Sequence, residues 1–287
     1  MDNKPKAVLF MMLSAFAFAM MGAMVKLSGN IPIFEKVFFR NLVSLGVAFL
    51  FIRKNKVSMF GDRKNQKYLI ARSLLGLSGV VFYFYAINNL YLADSSMLNK
   101  LSPFFVTLFA FVFLNEKLSK IQIPALIVVF IGALLVIKPR FSFAILPAVS
   151  GTVSAVCAGA AYTLVRYLKN KEHPSTIVFY FSLVSVIGVL PLMLFNFKLP
   201  NMMQLIFLLC TGIFAAIGQF SLTFGYKYAP ASEVSIFNYF SIVFSAVIGF
   251  FLWEEIPDAL SVFGGILIVT AAIITYLYNN KWTRIEK

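Results

Sequence analysis

Apolar residues fill this chain in long uninterrupted runs, and short polar segments separate the runs. Seven of the runs contain no Asp, Glu, Lys or Arg. Each is long enough to cross a bilayer, which takes about 20 mainly apolar residues at about 1.5 Å rise each. The runs cover 7–25, 73–93, 141–165, 174–197, 199–226, 234–253 and 259–280. Because the apolar positions are continuous rather than alternating, they predict helices and not the strands of a β-barrel.

Three shorter segments complete the set of predicted membrane spans. The runs 101–115 and 121–137 carry no charge, and 41–52 becomes long enough if Arg40 also lies within the membrane. We interpret the first run as a span rather than a signal peptide, since its apolar stretch exceeds an ordinary signal core. The ten spans are 7–27, 33–52, 68–91, 94–115, 121–138, 143–166, 175–197, 203–226, 231–252 and 259–279. The sequence therefore predicts an all-α polytopic membrane protein.

Composition and charge support this interpretation. Of the 287 residues, 60% are hydrophobic and 13% are charged, whereas a soluble domain carries about 25% charged residues. The net charge of +14 would indicate nucleic acid in a soluble protein, but in a membrane protein Lys and Arg collect in cytoplasmic loops. With a cytoplasmic N-terminus, 17 cations lie in inner segments and five in outer ones. The outer five are Lys26, Lys36, Lys138, Arg140 and Lys198.

This asymmetry predicts an inner-membrane (plasma-membrane) protein with both termini in the cytoplasm and no nucleic-acid partner. An internal repeat adds to the prediction. Residues 93–116 match 231–254 without a gap, and both stretches run from a small residue to an acid. Ten spans divide into two units, 1–140 and 141–287, with five spans each. Because five is odd, the second unit enters the membrane from the opposite side, so we expect two inverted five-helix repeats, an architecture common in secondary transporters.

Four sequence motifs point to a known family. They are Glu-Lys-Val-Phe-Phe-Arg at 35–40, Arg-Ser-Leu-Leu-Gly at 72–76, Asn-Lys-Leu-Ser-Pro-Phe-Phe at 99–105 with Phe-Leu-Asn-Glu-Lys at 113–117, and Gly-Gly-Ile-Leu-Ile at 264–268. With these motifs the chain resembles the drug/metabolite transporter superfamily, in particular its EamA-type ten-helix members. The resemblance implies a carrier of small organic solutes such as amino acids, nucleosides, vitamins or S-adenosylmethionine.

The second half departs from the family pattern at two places. Ser241 stands where a proline is expected in span nine, and Trp253-Glu254-Glu255 replaces a Gly-Glu or Asn-Glu ending. These changes leave the fold prediction intact and weaken any prediction of symmetric gating.

Charged residues within spans are expensive and are therefore candidates for function. Lys100 lies about 10 Å into span four, and Pro103 frees a backbone carbonyl one turn away, which suits a helix that lines a cavity. One interpretation is a cation that faces an anionic substrate group or a coupling carboxylate. The other is a structural pair with Asp94 or Glu35, or a side chain that reaches the outer interface.

Five further charged residues lie within the predicted spans or at their ends. Arg40 lies at a similar depth in span two, with Glu35 nearby to compensate it, and Arg72 is close enough to the inner loop to reach water. Glu233 near the start of span nine suits the positive end of a helix dipole. The candidates for coupling or gating are Arg40, Glu116, Glu233 and Glu254.

Buried polar and aromatic side chains complete the expected substrate path. Amides such as Gln219 and Asn238 need several hydrogen-bond partners when buried, and tyrosines such as Tyr83 and Tyr226 offer rings that stack on a planar solute. Hydrogen bonding between packed helices uses the same residue types and is the alternative. The predicted substrate-binding residues are Lys100, Tyr83, Gln219, Tyr226 and Asn238.

The sequence contains no catalytic constellation, no His/Cys metal spacing and no phosphate-binding loop. We therefore expect no enzyme activity and no cofactor, and a transport step driven by protons, another ion or a solute gradient. The predicted function is a secondary active transporter of small organic metabolites that works by alternating access. A lipid-handling or other non-transporting membrane protein is the alternative, and both a monomer and a homodimer are compatible with the sequence.

Overall fold

The structure is a computed structural model that describes residues 4–114, 121–137, 145–168, 171–228 and 235–285. Within these ranges every regular element is a helix and none is a strand. The first six α-helices are α1 (Lys4–Leu27), α2 (Ile33–Asn55), α3 (Gln66–Asn89), α4 (Leu92–Asn99), α5 (Ser102–Leu114) and α6 (Gln122–Ile137). The others are α7 (Leu146–Leu168), α8 (Pro174–Phe195), α9 (Met202–Tyr228), α10 (Phe240–Trp253) and α11 (Ala259–Ile285). Short 3₁₀ turns at Arg63–Asn65 and Ser235–Tyr239 precede α3 and α10.

Six helical stretches are long and apolar enough to cross a membrane. They are Pro5–Leu27, Arg63–Asn89, Leu92–Phe113, Leu146–Leu168, Pro174–Phe195 and Met202–Gly225. Shorter apolar helices follow at Ile123–Gly132, Phe237–Trp253 and Ala259–Thr275. The helix α2 has 23 residues but is less apolar because it carries Glu35, Lys36 and Arg40. Each predicted span thus corresponds to helical chain among the described residues.

Large apolar side chains point outward from the bundle. Phe195 is 90% exposed, Phe251 77% and Leu9 68%. In water so much exposed apolar surface would promote aggregation, whereas in a bilayer it faces lipid. The membrane protein predicted from composition is confirmed.

The long helices pack in pairs. The helix α1 packs on α9 and α10, α2 packs on α8 and α9, and α3 packs on α7 and α8, while α6 and α11 form a pair of their own. Small residues bring the helices close, as membrane helices commonly require. A Cβ atom added to Gly212 of α9 would lie 2.5 Å from the Cβ atom of Val43 in α2. The helices α2 and α9 therefore lie so close at Gly212 that a larger side chain there would force them apart.

Span four differs from the continuous helix that we predicted over 94–115. It consists of α4, which ends at Asn99, and α5, which begins at Ser102. Pro103 explains the interruption, because its ring clashes with the carbonyl of Asn99 and its nitrogen has no proton to donate. Between the two helices the chain tightens into a 3₁₀ turn, in which the amide of Leu101 donates to the Leu98 carbonyl at 3.1 Å.

Span nine contains a 3₁₀ turn at the corresponding place. The 3₁₀ turn Ser235–Tyr239 leads directly into α10, which begins at Phe240. In the gapless match of 93–116 with 231–254, Phe240 is the counterpart of Ser102, the first residue of α5. The helices α5 and α10 therefore begin at equivalent positions, each after a 3₁₀ turn, although Ser241 stands where the first half has Pro103.

Candidate functional site

Lys100 is the C-cap residue of α4 and directly follows Asn99, the last helical residue. Its amide donates to the carbonyls of Ser96 and Met97, both at 3.1 Å, so its backbone belongs to the break itself. The side chain is half-buried, and among the described residues its ammonium has no hydrogen-bond or ion-pair partner. Of the two carboxylates considered as its structural partners, that of Glu35 instead accepts a hydrogen bond from the amide of Lys198 at 3.2 Å.

The segments that lead into α5 and α10 lie next to each other inside the bundle. One hydrophobic cluster contains Leu98 and Leu101, at the end of α4 and in the turn after it, together with Tyr239 and Ile242 at the start of α10. Asn238, the counterpart of Lys100, is buried, and its main-chain carbonyl accepts a hydrogen bond from the Ser241 hydroxyl at 2.9 Å. The structure thus brings the regions of two predicted substrate-binding residues, Lys100 and Asn238, together.

Hydrogen bonds connect the break in span four to two long helices. The side-chain amide of Asn99 donates to Ser154 Oγ of α7 at 3.4 Å, and that hydroxyl donates to the carbonyl of Gly79 in α3 at 2.9 Å. A second bond between the same helices runs from Ser150 Oγ to the Phe82 carbonyl at 2.9 Å. The serines of span six therefore hold helices together, as the packing alternative predicts.

The other predicted substrate-binding residues lie on α3 and α9. Tyr83 is half-buried on α3 and lies near Tyr162 of α7. Gln219 of α9 is 8% exposed, and no described contact joins it to Lys100 or Tyr83. Tyr226 belongs to α9, but its side chain is outside the described part of the structure. These three remain predictions.

The candidates for coupling have different outcomes. Glu116 and Glu233 lie outside the described residues. Glu254 is exposed and ends α10 in a left-handed conformation with φ 55°. Arg40, in contrast, is 4% exposed. It does not reach the carboxylate of Glu35 that we expected to compensate it.

Arg40 and Arg72 meet on one phenylalanine ring. The guanidinium carbon of Arg40 in α2 lies 5.1 Å from the ring centroid of Phe181 in α8, and that of Arg72 in α3 lies 4.0 Å from it. Arg72 is 2% exposed, so our interpretation that it reaches water at the inner loop is wrong. Tyr162 of α7 lies near both guanidinium groups. Four helices, α2, α3, α7 and α8, therefore converge on this arginine pair.

A glycine makes room for the arginine pair. Gly76 follows Arg72 by one helical turn, and a Cβ atom there would lie 2.9 Å from Phe181 Cε2 and 3.3 Å from Arg72 Nη1. The Arg-to-Gly spacing at 72–76 was the available sequence signal for this site, since glycine permits close approach to a neighbouring helix. Phe181 and Tyr162 carried no such signal among 33 Phe and 12 Tyr.

The arginine pair keeps its positive charge inside the bundle. Insertion scales assign about 2.5–3.5 kcal/mol to an arginine at the membrane centre, and a desolvated cation–π contact returns about 2 kcal/mol. Arg40 Nη1 donates to the neighbouring Asn41 Oδ1 at 2.5 Å. Arg40 Nε, Arg72 Nε and Arg72 Nη1 have no hydrogen-bond partner among the described residues. Phe181 offers a ring face and no charge, so the described surroundings do not neutralise the pair.

One family model matches the chain twice, over residues 5–138 and again over 146–277. It describes the EamA-like transporter family. The chain belongs to this family. The resemblance drawn from the sequence motifs is therefore confirmed, and the protein is a membrane transporter by family.

Named relatives of this EamA-like transporter support the assignment. The chain is 38% identical over 276 residues to the pseudopaline exporter of Pseudomonas aeruginosa, an alignment that covers 95% of this chain and 96% of the exporter. It is 25% identical to human solute carrier family 35 member G1, over 97% of this chain and 80% of the carrier. A protein of known crystal structure matches with a TM-score of 0.71 at 15% identity, over 98% of this chain and 99% of that chain, and shows the same fold.

An ion pair joins distant segments of this EamA-like transporter where α3 meets α4. Glu255 follows α10, is 8% exposed and pairs with Lys26 at the end of α1. Its second oxygen accepts from the amide of Leu92 at the start of α4, at 2.8 Å. Lys26 also donates to the Leu90 carbonyl at 3.1 Å and lies 5.1 Å from the Trp253 ring centroid.

Proposed function

We propose that this protein is a secondary active transporter that moves small organic solutes across the inner membrane by alternating access. Its two halves, 1–140 and 141–287, are in this proposal inverted five-helix repeats with both termini in the cytoplasm. The observation that carries the proposal is that α5 and α10 begin at equivalent positions, at Ser102 and at Phe240, each after a 3₁₀ turn. The two separate matches of the family model support the same division.

Helix breaks supply the polar groups that a translocation path needs. A regular membrane helix satisfies its backbone groups internally, whereas a break exposes carbonyls and amides to the protein interior. Discontinuous helices that meet near the midplane form the substrate and ion sites of many inverted-repeat transporters. In this protein Lys100 stands at the break in span four and Asn238 in the 3₁₀ turn before α10. We therefore assign both to the substrate site, together with Tyr83, Gln219 and Tyr226.

The energy source in this proposal is an ion or solute gradient. The sequence carries no nucleotide-binding motif, and we assign coupling to protons or another ion. The name of the pseudopaline exporter supports export as the direction of transport. Arg40, Glu116, Glu233 and Glu254 are the residues that we assign to coupling or gating.

The test is flux in proteoliposomes. A thermal-shift screen of the purified protein against amino acids, nucleosides, vitamins and cofactors selects the radiolabelled solute, and saturable uptake then measures transport. Replacing Lys100 by alanine is expected to lower the flux at least about tenfold, because a charged contact to substrate or coupling ion contributes about 1.5–3 kcal/mol. The matched control is Lys54→Ala, at an exposed lysine near the end of α2, which is expected to retain full flux.

Two results would contradict the proposal. Full flux and affinity in Lys100→Ala would remove this lysine from the path. Movement of a fluorescent phospholipid between leaflets, without saturable flux of any screened solute, would favour the lipid-handling alternative.

A further inference from the structure

The arginine pair has several hydrogen-bond donors without acceptors. Three buried donor nitrogens, Arg40 Nε, Arg72 Nε and Arg72 Nη1, have no partner within the part of the chain that the structure describes. Buried polar groups in folded proteins are satisfied in the great majority of cases. The pair is also charged, and among the described residues no carboxylate is in contact with either guanidinium. The side chains therefore have both the charge and the free donors to bind an anion.

Three buried or loop carboxylates have contacts away from the arginine pair. Glu35, on the same helix as Arg40, accepts from the amide of Lys198 through Oε2, and its other oxygen has no partner among the described residues. Glu172, before α8, accepts from the amide of Asp62 and the side chain of Asn65, both at 2.8 Å. Glu255 pairs with Lys26. Among the described residues, none of these three carboxylates contacts Arg40 or Arg72.

The form of the donor group indicates what kind of anion fits. A guanidinium is planar and presents paired N–H groups whose spacing matches the two oxygens of a carboxylate or the oxygens of a phosphate. Phe181 supports both guanidinium groups from one ring, and Gly76 lets that ring and Arg72 lie close against α3. These contacts restrict the rotation of two long side chains before any ligand arrives, which lowers the entropic cost of binding.

We propose that Arg40 and Arg72 together bind the oxyanion group, a carboxylate or a phosphate, of the transported solute. This inference rests on the proposed transport function and narrows it to organic anions. Lys100 then serves a second part of the same solute or the coupling ion, while the arginine pair recognises the negative group.

Matched probes test the charge requirement directly. Glutarate and its neutral diamide, glutaramide, have the same carbon chain, and inorganic phosphate provides the second arm. Isothermal titration calorimetry on the purified full-length protein is expected to show binding of glutarate, phosphate or both, and none of glutaramide. Arg40→Gln and Arg72→Gln are each expected to weaken that binding at least about tenfold, the effect of removing one charge-assisted hydrogen bond.

The control is another arginine on the same helix. The guanidinium carbon of Arg53 lies 5.0 Å from the Phe49 ring centroid, as Arg40 lies over Phe181, but Arg53 is exposed. Arg53→Gln is expected to bind the probes as the unaltered protein does. A loss of binding in Arg53→Gln equal to that in Arg72→Gln would overturn the proposal, because it would reflect net charge rather than a site.

Thermal stability separates a binding role from a structural one. An unpaired buried charge burdens the ligand-free fold, so neutral variants are expected to melt at the same temperature as the unaltered protein or higher. The ligand-induced rise in melting temperature is expected to vanish in both. A lower ligand-free melting temperature together with unchanged affinity would assign the pair to structure and overturn the proposal. If Arg72→Gln does not fold, Arg72→Lys decides, since it keeps the charge but loses the planar donors, and unchanged affinity would again overturn it.

Flux and binding report on different claims. Saturable flux of a neutral solute, with equal affinity for glutarate and glutaramide, would overturn the anion site and leave the transport function intact. Arginine-dependent binding of glutarate or phosphate, with no flux of any solute in proteoliposomes, would support the site and overturn the transport function.

Discussion

Replacing Glu255 by glutamine is expected to lower the free energy of unfolding by roughly 3 kcal/mol. The carboxylate is 8% exposed and Lys26, its partner, is 18% exposed. Glutamine keeps the size of the side chain but removes the charge, so Lys26 stays partly buried without its counter-ion. Breaking a buried pair in this way costs about 3–5 kcal/mol, and the partial exposure of Lys26 places this pair at the lower end. Unfolding in mixed micelles, followed by circular dichroism, measures the change.

The neighbouring residue provides the control. Glu254→Gln makes the same chemical change one position earlier, at an exposed side chain, and is expected to change the free energy of unfolding by less than about 0.5 kcal/mol. In a double-mutant cycle Lys26→Met is expected to recover most of the loss, since it removes the orphaned charge. Equal losses in Glu254→Gln and Glu255→Gln would show that the ion pair does not stabilise the fold.

Replacing Gly212 by alanine is expected to destabilise the protein by roughly 1–3 kcal/mol, the usual cost of overpacking. The new Cβ atom would lie 2.5 Å from Val43 Cβ and 3.1 Å from the carbonyl oxygen of Phe39. Neither atom belongs to the flexible end of a side chain, so α2 and α9 must move apart. The shift acts on the part of α2 that carries Arg40. The same unfolding measurement, joined to probe binding, reports both effects.

Gly46 is the matched control for this substitution. It lies on α2, and nothing stands within 4 Å of an added Cβ atom. Gly46→Ala is therefore expected to stabilise the protein by about 0.5–1 kcal/mol, the ordinary preference of a helix interior for alanine over glycine. If both substitutions changed stability in the same direction, the close approach of α2 and α9 would not limit the packing.

Helix positions followed from the sequence because lipid imposes a simple rule. A span needs about 20 apolar residues with its backbone bonds made internally, so the ends of apolar runs predict the ends of helices. Span seven, predicted at 175–197, is the helix Pro174–Phe195. The 3₁₀ turn before α10 was not predicted, because Ser241, unlike Pro103, gives no local reason for an α-helix to change into a 3₁₀ turn.

Only one residue of the arginine pair was predicted as a functional candidate. Arg40 was a candidate because it lies deep in a span, but the position of Arg72 near a span end suggested a route to water. Depth along one helix does not indicate which helices pack around it, and Phe181 of α8 covers Arg72. Glu255 was not predicted as a functional candidate for a related reason. The left-handed conformation of Glu254 redirects the chain after α10. Such contacts depend on the packing of distant helices, which no local pattern contains.

The helices α5 and α10 begin at equivalent positions with different chemistry. Before α5 the interruption is fixed by covalent structure, because Pro103 lacks the proton that would bond to the carbonyl of Asn99. Before α10 the 3₁₀ turn rests on exchangeable bonds, such as that from the Ser241 hydroxyl to the Asn238 carbonyl, and Ser241 keeps its own amide proton. An α-helical turn would need a bond that cannot be made before α5 and only a change of partners before α10. Only the start of α10 therefore has the chemistry to convert between the two helical forms.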